Sequence, residues 1–346
     1  MSQARPAETE TDRLVAHTDD LVASGRATEA IDLLAEANRR HAEPVVERRL
    51  VQARYRAFAE LDRTPGFDRW PVAGAVPTGD GGPQVPVVEP ESLSGAVVRD
   101  QMMAHGAVHV PGLLDERQVE ACVQGIDAVF AARNEGMQAE FRPTATWYRS
   151  LDLPREQAMS LGRDWVFGAG GALACDSPRM SFRVLEIFAA VGLREVVADY
   201  LGERPVLSGN KWTLRRVPTT AHTDWHQDGA FLGDGIRALN VWVALTDCGV
   251  DAPGMDLVPK RFETVQETGT GGAIFDWAVG PDTVATLAAD APVVRPRFAA
   301  GDALLFDDLY LHRTAIDEAM TRPRYAIESW FFAASSYPDG QVPIVW

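Results

Sequence analysis

Three observations predict an α+β architecture with a mainly β core, a double-stranded β-helix of the jelly-roll or cupin-like kind with flanking helices. Apolar runs of strand length recur from residue 206 to the end of the chain, separated by turn residues and long connections. Helical periodicity dominates the first sixty residues. A His-x-Asp pair in Trp225-His226-Gln227-Asp228 is matched, far downstream, by a single histidine, His312, just after a turn and an apolar run. Many antiparallel strands with long connections are what two facing jelly-roll sheets require.

Taken in order, the chain opens with about ten residues that carry no pattern. Residues Leu14, Val15, Leu21 and Val22 then mark a first helix that breaks at Ser24-Gly25. Ala30, Ile31, Leu34 and Ala37 mark a second, and a third starts near Pro44 with Leu50, Val51, Phe58 and Leu61 on one face. Gly25 to Ile31 is reminiscent of a tetratricopeptide helix pair, but no further copies follow, and a solenoid needs about three. Residues 1–63 are therefore read as a small helical region packed on the main domain. Residues 64–91 shift to proline and glycine, as in Pro65-Gly66 and Gly81-Gly82-Pro83, and read as a linker. The main domain then spans 92–346.

Within it, Leu93 to Met103 reads as a helix stopped by Gly106, Ala107 to Val110 as a short strand, and Asp115 as the cap of a helix whose apolar face is Val119, Cys122, Val123, Ile126, Val129 and Phe130. Asn134 to Ala174 has no clear period and is assigned to a lid or substrate loops. Asp176-Ser177-Pro178 starts a helix expected to run through Tyr200 to the stop at Gly202. Strands are expected at Val206–Ser208, Trp212–Leu214, Leu239–Leu245, Ala303–Phe306 and Tyr325–Ala333.

Bulk properties exclude several functions. A formal charge of -16 makes nucleic acid and anionic membrane surfaces poor partners. No apolar run reaches the length of a membrane span and no secretory signal opens the chain, so a cytoplasmic protein acting on a small molecule is expected; its oligomeric state is not readable. Lysine occurs only at Lys211 and Lys260, which argues against Schiff-base catalysis. Cys122, Cys175 and Cys248 are unpaired in spacing and read as buried free thiols.

His-x-Asp becomes a metal clamp when it lies on a β-strand, because alternate side chains share a face. With His312 it makes two histidines and one carboxylate, which leaves one face of an octahedral metal open. That donor set belongs to non-haem Fe(II) oxygenases rather than closed zinc sites. His222 and His226 have the spacing of a helical zinc pair, but no glutamate follows His222. His105 and His109 read as ordinary polar residues. Asp307 and Asp308 stand near enough to His312 to be partners for an imidazole N–H, or equally to be solvated turn carboxylates.

The order of His226 and Asp228, then Asp247, Pro253-Gly254, Leu257-Val258-Pro259, Gly301-Asp302 before an apolar strand, His312, and an arginine entering the last strand resembles the phytanoyl-CoA dioxygenase family of Fe(II)- and 2-oxoglutarate-dependent oxygenases. The resemblance runs from about Leu93 to Ala333. It implies that His226, Asp228 and His312 hold iron, that Arg324 meets the distal carboxylate of 2-oxoglutarate with Thr314 beside it, and that Arg216 and Trp242 line the cosubstrate pocket. It implies O2 as second cosubstrate, with succinate and CO2 released as a substrate C–H is oxidised, most simply by hydroxylation. One departure is Val258-Pro259-Lys260-Arg261-Phe262, where many members have Pro-Gly-Ser-His. Two other function classes stay open on the residues alone: a jelly-roll lyase or isomerase that never uses 2-oxoglutarate, and a helical adaptor with a vestigial metal site.

Overall fold

Side-chain alternation along the strands decides how this chain layers. The computed structural model describes residues 9–70, 84–135, 146–221 and 224–346. Its larger sheet is antiparallel and contains β1 (Ala107–Val110), β2 (Gly171–Leu173), β3 (Pro205–Val217), β4 (Ala238–Ala244), β6 (Ala303–Phe306), β8 (Arg324–Ala333) and β9 (Pro343–Val345). The strand order is β1-β6-β4-β8-β3-β2, with β9 also on β3; β5 (Gly254–Leu257) and β7 (His312–Ala315) form a second, two-stranded sheet. This is the expected mixed architecture with a mainly β core.

On β4, Leu239, Val241 and Val243 face one side and pack with the helical residues Ile126, Val184 and Phe188. Ala238, Trp242 and Ala244 face the other, with Phe306, Trp330 and Phe332 from β6 and β8. The strands are buried on both faces, so β4 is apolar at almost every position instead of alternating with polar residues. Each side chain fully buried this way contributes about 1.5–3 kcal/mol. The second face does not close into solid core; the smaller sheet stands across a cavity from it, and Met255 and Thr314 line that cavity together with Thr213, Asn240 and Glu328.

Among the described residues the helices are α1 (Glu10–Ala23), α2 (Ala27–Arg40), α3 (Pro44–Ala57), α4 (Gly95–His105), α5 (Glu116–Asn134), α6 (Arg155–Ser160), α7 (Arg163–Gly168), α8 (Pro178–Ala190), α9 (Leu193–Leu201) and α10 (Pro281–Leu287). Local chemistry sets their ends. Asp115 and Gln118 form a reciprocal capping box on α5, and Gly106 closes α4 at a φ of 79°. No side chain of its own caps α2, yet the Glu60 carboxylate accepts from the Ala27 N–H at 2.9 and 2.8 Å. The three N-terminal helices bury Leu21, Ile31, Leu34 and Leu50 against Val206 and Val345 of the sheet and Ala334 just after β8. The buried Arg54 guanidinium also donates to the Val345 carbonyl at 2.8 Å.

Several sequence expectations need correction. The helix expected from Pro178 to Tyr200 is two helices, because Gly192 adopts a φ of 74° between them. The two strands expected between Val206 and Leu214 are one strand with a register irregularity between Leu207 and Trp212. Of the linker, residues 71–83 lie outside the described residues, as do 136–145 of the expected lid; Phe67 and Trp70 on the near side of the linker pack by Arg237 and Tyr200. The three cysteines are buried and free, with burial pushing Cys122 up to about 12 and Cys248 to about 11. Among the described residues, no helix is long and apolar enough to cross a membrane.

Candidate metal centre

His226 and His312 meet because their backbones pair: the His226 N–H donates to the His312 carbonyl at 2.9 Å and the His312 N–H returns to His226 at 3.1 Å. This is an isolated bridge and not the continuous strand that the His-x-Asp reading assumed. Asp228 lies one step further on, at the first position of a short 3₁₀ turn, Asp228–Phe231. The pair therefore converges through a bridge followed by a turn. One ligand atom from each of His226, Asp228 and His312 falls within 4.8 Å of the others.

The residues between and after the pair have structural duties. The buried Gln227 side chain points away from the triad, donating to the Leu309 carbonyl and accepting from the Gln266 N–H at 2.6 Å. It ties the two segments that carry the histidines. At Gly229 an added Cβ would lie 2.9 Å from an Asp308 carboxylate oxygen and 3.0 Å from Val265, so any side chain there has to displace these two, and the Gly229 N–H donates to the Asp308 carbonyl at 2.8 Å.

Each imidazole is oriented by a carbonyl two residues earlier, His226 Nδ1 by Asp224 and His312 Nδ1 by Tyr310, both at 2.9 Å. A carbonyl can only accept, so each Nδ1 carries a proton, and in the neutral ring Nε2 is the nitrogen that presents a lone pair. Burial, and then the neighbouring His226, push the His312 imidazole down to about 4. It is neutral at physiological pH, as a metal ligand must be. Burial alone would raise the Asp228 carboxyl, but Lys211, His226 and His312 outweigh it and hold it at about 2. Its two oxygens have different surroundings: Oδ1 accepts from Lys211 Nζ at 2.9 Å, while Oδ2 is 3.7 Å from His312 Nε2.

The triad opens onto a cavity of about 940 Å³ whose lining includes Arg324, Thr314 and Trp242. Arg324, the first residue of β8, is 1% exposed; its Nη1 donates to the Gly254 carbonyl at 2.7 Å, the Trp242 ring lies 5.4 Å away, and its buried Nε has no protein partner. Arg322, two residues earlier, is exposed and pairs with Asp251 at 3.3 Å. Thr314 follows His312 by two residues along β7 and so shares its strand face.

Arg216 is not in this cavity. It lies on the opposite face of β3, about half exposed, 3.5 Å from Asp127 of α5 and over the Phe130 ring. A shift of one residue along a strand exchanges faces, and Arg215 is the arginine that lines the cavity. There Arg215 stands 3.5 Å from the Glu328 carboxylate, which also accepts from Thr213 at 2.7 Å. Burial would raise Glu328, but Arg215, Thr213 and Arg324 outweigh it and keep the carboxyl below its ordinary range. Arg215, Glu328 and Lys211 were missed by sequence reasoning; a cross-strand pairing of β3 with β8, which sets Thr213 against Glu328, is the signal that finds the first two.

Neither Asp307 nor Asp308 orients an imidazole, because backbone carbonyls already do so. Asp307 instead pairs with Arg261 at 2.8 Å, and Lys260 pairs with Asp290 at 2.6 Å. Both basic residues of the departing loop thus have structural partners. His109 bonds Asp302 at 3.0 Å, and His222 lies outside the described residues.

Residues 102–316 match the family described as Phytanoyl-CoA dioxygenase (PhyH). The crystal structure of EctD from S. alaskensis with 2-oxoglutarate and 5-hydroxyectoine superposes with a TM-score of 0.51 at 16% identity, covering 77% of this chain and 88% of that chain. That of the non-haem α-ketoglutarate-dependent carbocyclase SnoK from nogalamycin biosynthesis gives 0.44 at 19% identity, covering 73% and 87%. No curated protein sequence matches the chain. The likeness to EctD extends to the fold.

Proposed function

The chain belongs to the phytanoyl-CoA dioxygenase family of non-haem Fe(II)- and 2-oxoglutarate-dependent oxygenases, and from that premise we propose that it hydroxylates an unactivated C–H bond of a small molecule, releasing succinate and CO2. The observation that carries this reading is the sharing of one cavity by the His226, Asp228 and His312 donors and a buried arginine, Arg324, whose Nε has no partner. We assign the first three as the iron ligands and Arg324, with Thr314 and beside Trp242, as the grip on the distal carboxylate of 2-oxoglutarate.

The residues suit these groups. Two neutral imidazoles and one carboxylate supply only one negative charge to Fe(II), so an anionic keto acid is still attracted. With Fe(II) held there, O2 would be the oxidant, and the four electrons that reduce it would come two from the decarboxylation of 2-oxoglutarate and two from the substrate C–H bond. The chain itself binds and orients. Lys211 holds Oδ1 of Asp228, which favours a single oxygen, Oδ2, toward the ion. Arg324 is preorganised by the Gly254 carbonyl, so little freedom is lost when it engages a carboxylate. The Trp242 ring, which lines this end of the cavity and is backed by Phe298 at 5.0 Å, keeps water from it.

The cavity volume falls in the range of small-molecule sites, which supports a small-molecule substrate over a macromolecular one. Because Asp228 offers a carboxylate where a halide would have to bind, oxygen insertion is favoured over halogenation. The experiment is aerobic incubation of the protein with Fe(II) and 2-oxoglutarate while succinate is measured. Succinate formation that requires added Fe(II) and disappears in Asp228→Ala is expected. Turnover of a substrate with neither 2-oxoglutarate consumed nor succinate formed would instead identify a jelly-roll lyase or isomerase.

A further inference from the structure

Large apolar side chains left in water carry a cost that a binding surface recovers only when occupied. Among the described residues three such side chains, Trp165 (74% exposed), Phe231 (41%) and Phe275 (45%), line the mouth of the metal cavity, and Ile274 (76%) adjoins them in the chain. They come from three separate elements: α7, the 3₁₀ turn that begins at Asp228, and the loop before α10. Local packing within one element does not explain such a gathering.

The side chains form an ordered wall. The Phe275 and Trp277 rings are parallel within 5°, with centroids 5.1 Å apart, and Phe231 leans on Trp277 at 5.4 Å. Trp277 in turn sets its edge against the His226 ring at 5.8 Å. The wall therefore runs from exposed Phe275 inward to a side chain of the triad. Deeper in the cavity the apolar lining is again aromatic, with Trp242, Phe306 and Trp330; among the described residues no leucine, isoleucine or valine lines it, and Met255 is its one large aliphatic side chain. A pocket for an alkyl chain would be lined the other way. Aromatic faces give their extra attraction to ring faces and edges.

We infer that the substrate carries a flat, conjugated ring body that stacks on the Phe231, Phe275 and Trp277 wall with Trp165 at the entrance, and so brings a ring-borne carbon to the metal. Lys211, with Nζ 4.7 Å from the Phe231 ring centre, places positive charge beside this wall and disfavours cationic ring systems. The inference deepens the oxygenase reading by naming a substrate class for the same cavity, and it rests on that reading.

The test is calorimetric titration, under anaerobic conditions, of the full chain with three probes: 1,8-dihydroxyanthraquinone, dodecanoate and proflavine. Each titration is run both with and without Fe(II) and 2-oxoglutarate, so the ring preference is decided whether or not the metal complex forms. The anthraquinone is expected to bind at least about tenfold more tightly than dodecanoate or proflavine. Phe275→Ala and Trp165→Ala, both at exposed side chains, are each expected to weaken it at least about fivefold, the scale of one lost aromatic contact. Val250→Ser, at an exposed apolar site outside the cavity, should leave it unchanged. Dodecanoate binding as tightly as the anthraquinone, or anthraquinone affinity untouched in both aromatic variants, overturns the inference. Failure of the oxygenase reading has a different signature: wild-type protein that binds the ring but neither 2-oxoglutarate nor iron.

Discussion

Replacing Arg324 by alanine removes the side chain to which cosubstrate capture is assigned in the proposed function. The guanidinium is 1% exposed, its Nη1 is committed to the Gly254 carbonyl at 2.7 Å, and its Nε is buried without a partner. A carboxylate that engages it exchanges no protein bond except the weak 3.4 Å contact to Pro253. Charge-assisted hydrogen bonds contribute about 1.5–3 kcal/mol, which converts to a dissociation constant for 2-oxoglutarate raised about tenfold to a hundredfold. Fe(II) affinity should change little, because none of His226, Asp228 and His312 bonds to Arg324. Lysine keeps the charge but not the fork, so Arg324→Lys should fall between the two. Calorimetric titration of 2-oxoglutarate into wild type, both variants and Arg322→Ala is the assay, with a thermal melt of each to confirm that β8 remains folded. Wild-type affinity in Arg324→Ala, or a larger loss in Arg322→Ala than in Arg324→Ala, refutes the reasoning.

Other positions give independent tests. Asp302 accepts from the Gly112 and Ala299 N–H groups at 2.9 Å each and bonds His109 at 3.0 Å; Asp302→Ala strands these donors and should cost about 2–4 kcal/mol, read by urea denaturation. A loss within error of zero would contradict this. Burial, with help from the Asp307 charge, pushes the Asp308 carboxyl up to about 7 from an ordinary 3.8. The folded state then keeps a proton that the unfolded chain releases, so this group lowers stability as pH rises from about 4 to about 7, with no further change above. Metal-free Asp308→Asn should gain stability over wild type across that window and hold the gain at pH 8; a difference independent of pH contradicts the sign. Deleting residues 1–60 uncovers Val206, Ala334 and Val345, and the truncated protein should aggregate on size-exclusion chromatography where the full chain does not.

Local chemistry made much of this fold legible. Ala107–Val110 reads as a strand from four residues because Gly106 and Pro111-Gly112 bracket it, and α5 announces itself through Asp115 and Gln118. The triad was legible for a different reason: its residue types are rare in combination, and a chain with few histidines offers few alternatives. What escaped depends on register. Arg215 and Arg216 are adjacent, and which of them faces the cavity is decided by pairing with β8 beyond an irregularity between Leu207 and Trp212. Periodicity cannot be carried through such a point. Gln227 likewise has no sequence signal, since its partners, Leu309 and Gln266, are distant in the chain. The Pro178–Tyr200 pattern is continuous in its apolar face, so the break at Gly192 shows only in one backbone angle. Lys211 was visible as one of two lysines, but its contact with Asp228 exists only once β3 and the 3₁₀ turn are folded together.

The central claim is that His226, Asp228 and His312 hold an Fe(II) ion to which 2-oxoglutarate binds beside Arg324. Anaerobic addition of Fe(II) and then 2-oxoglutarate to metal-free protein, followed by visible absorption, tests it most directly. A weak visible charge-transfer band that saturates at one iron per chain, and is absent from His312→Ala, is the predicted result. Wild-type protein that develops no band and takes up no 2-oxoglutarate by calorimetry contradicts it.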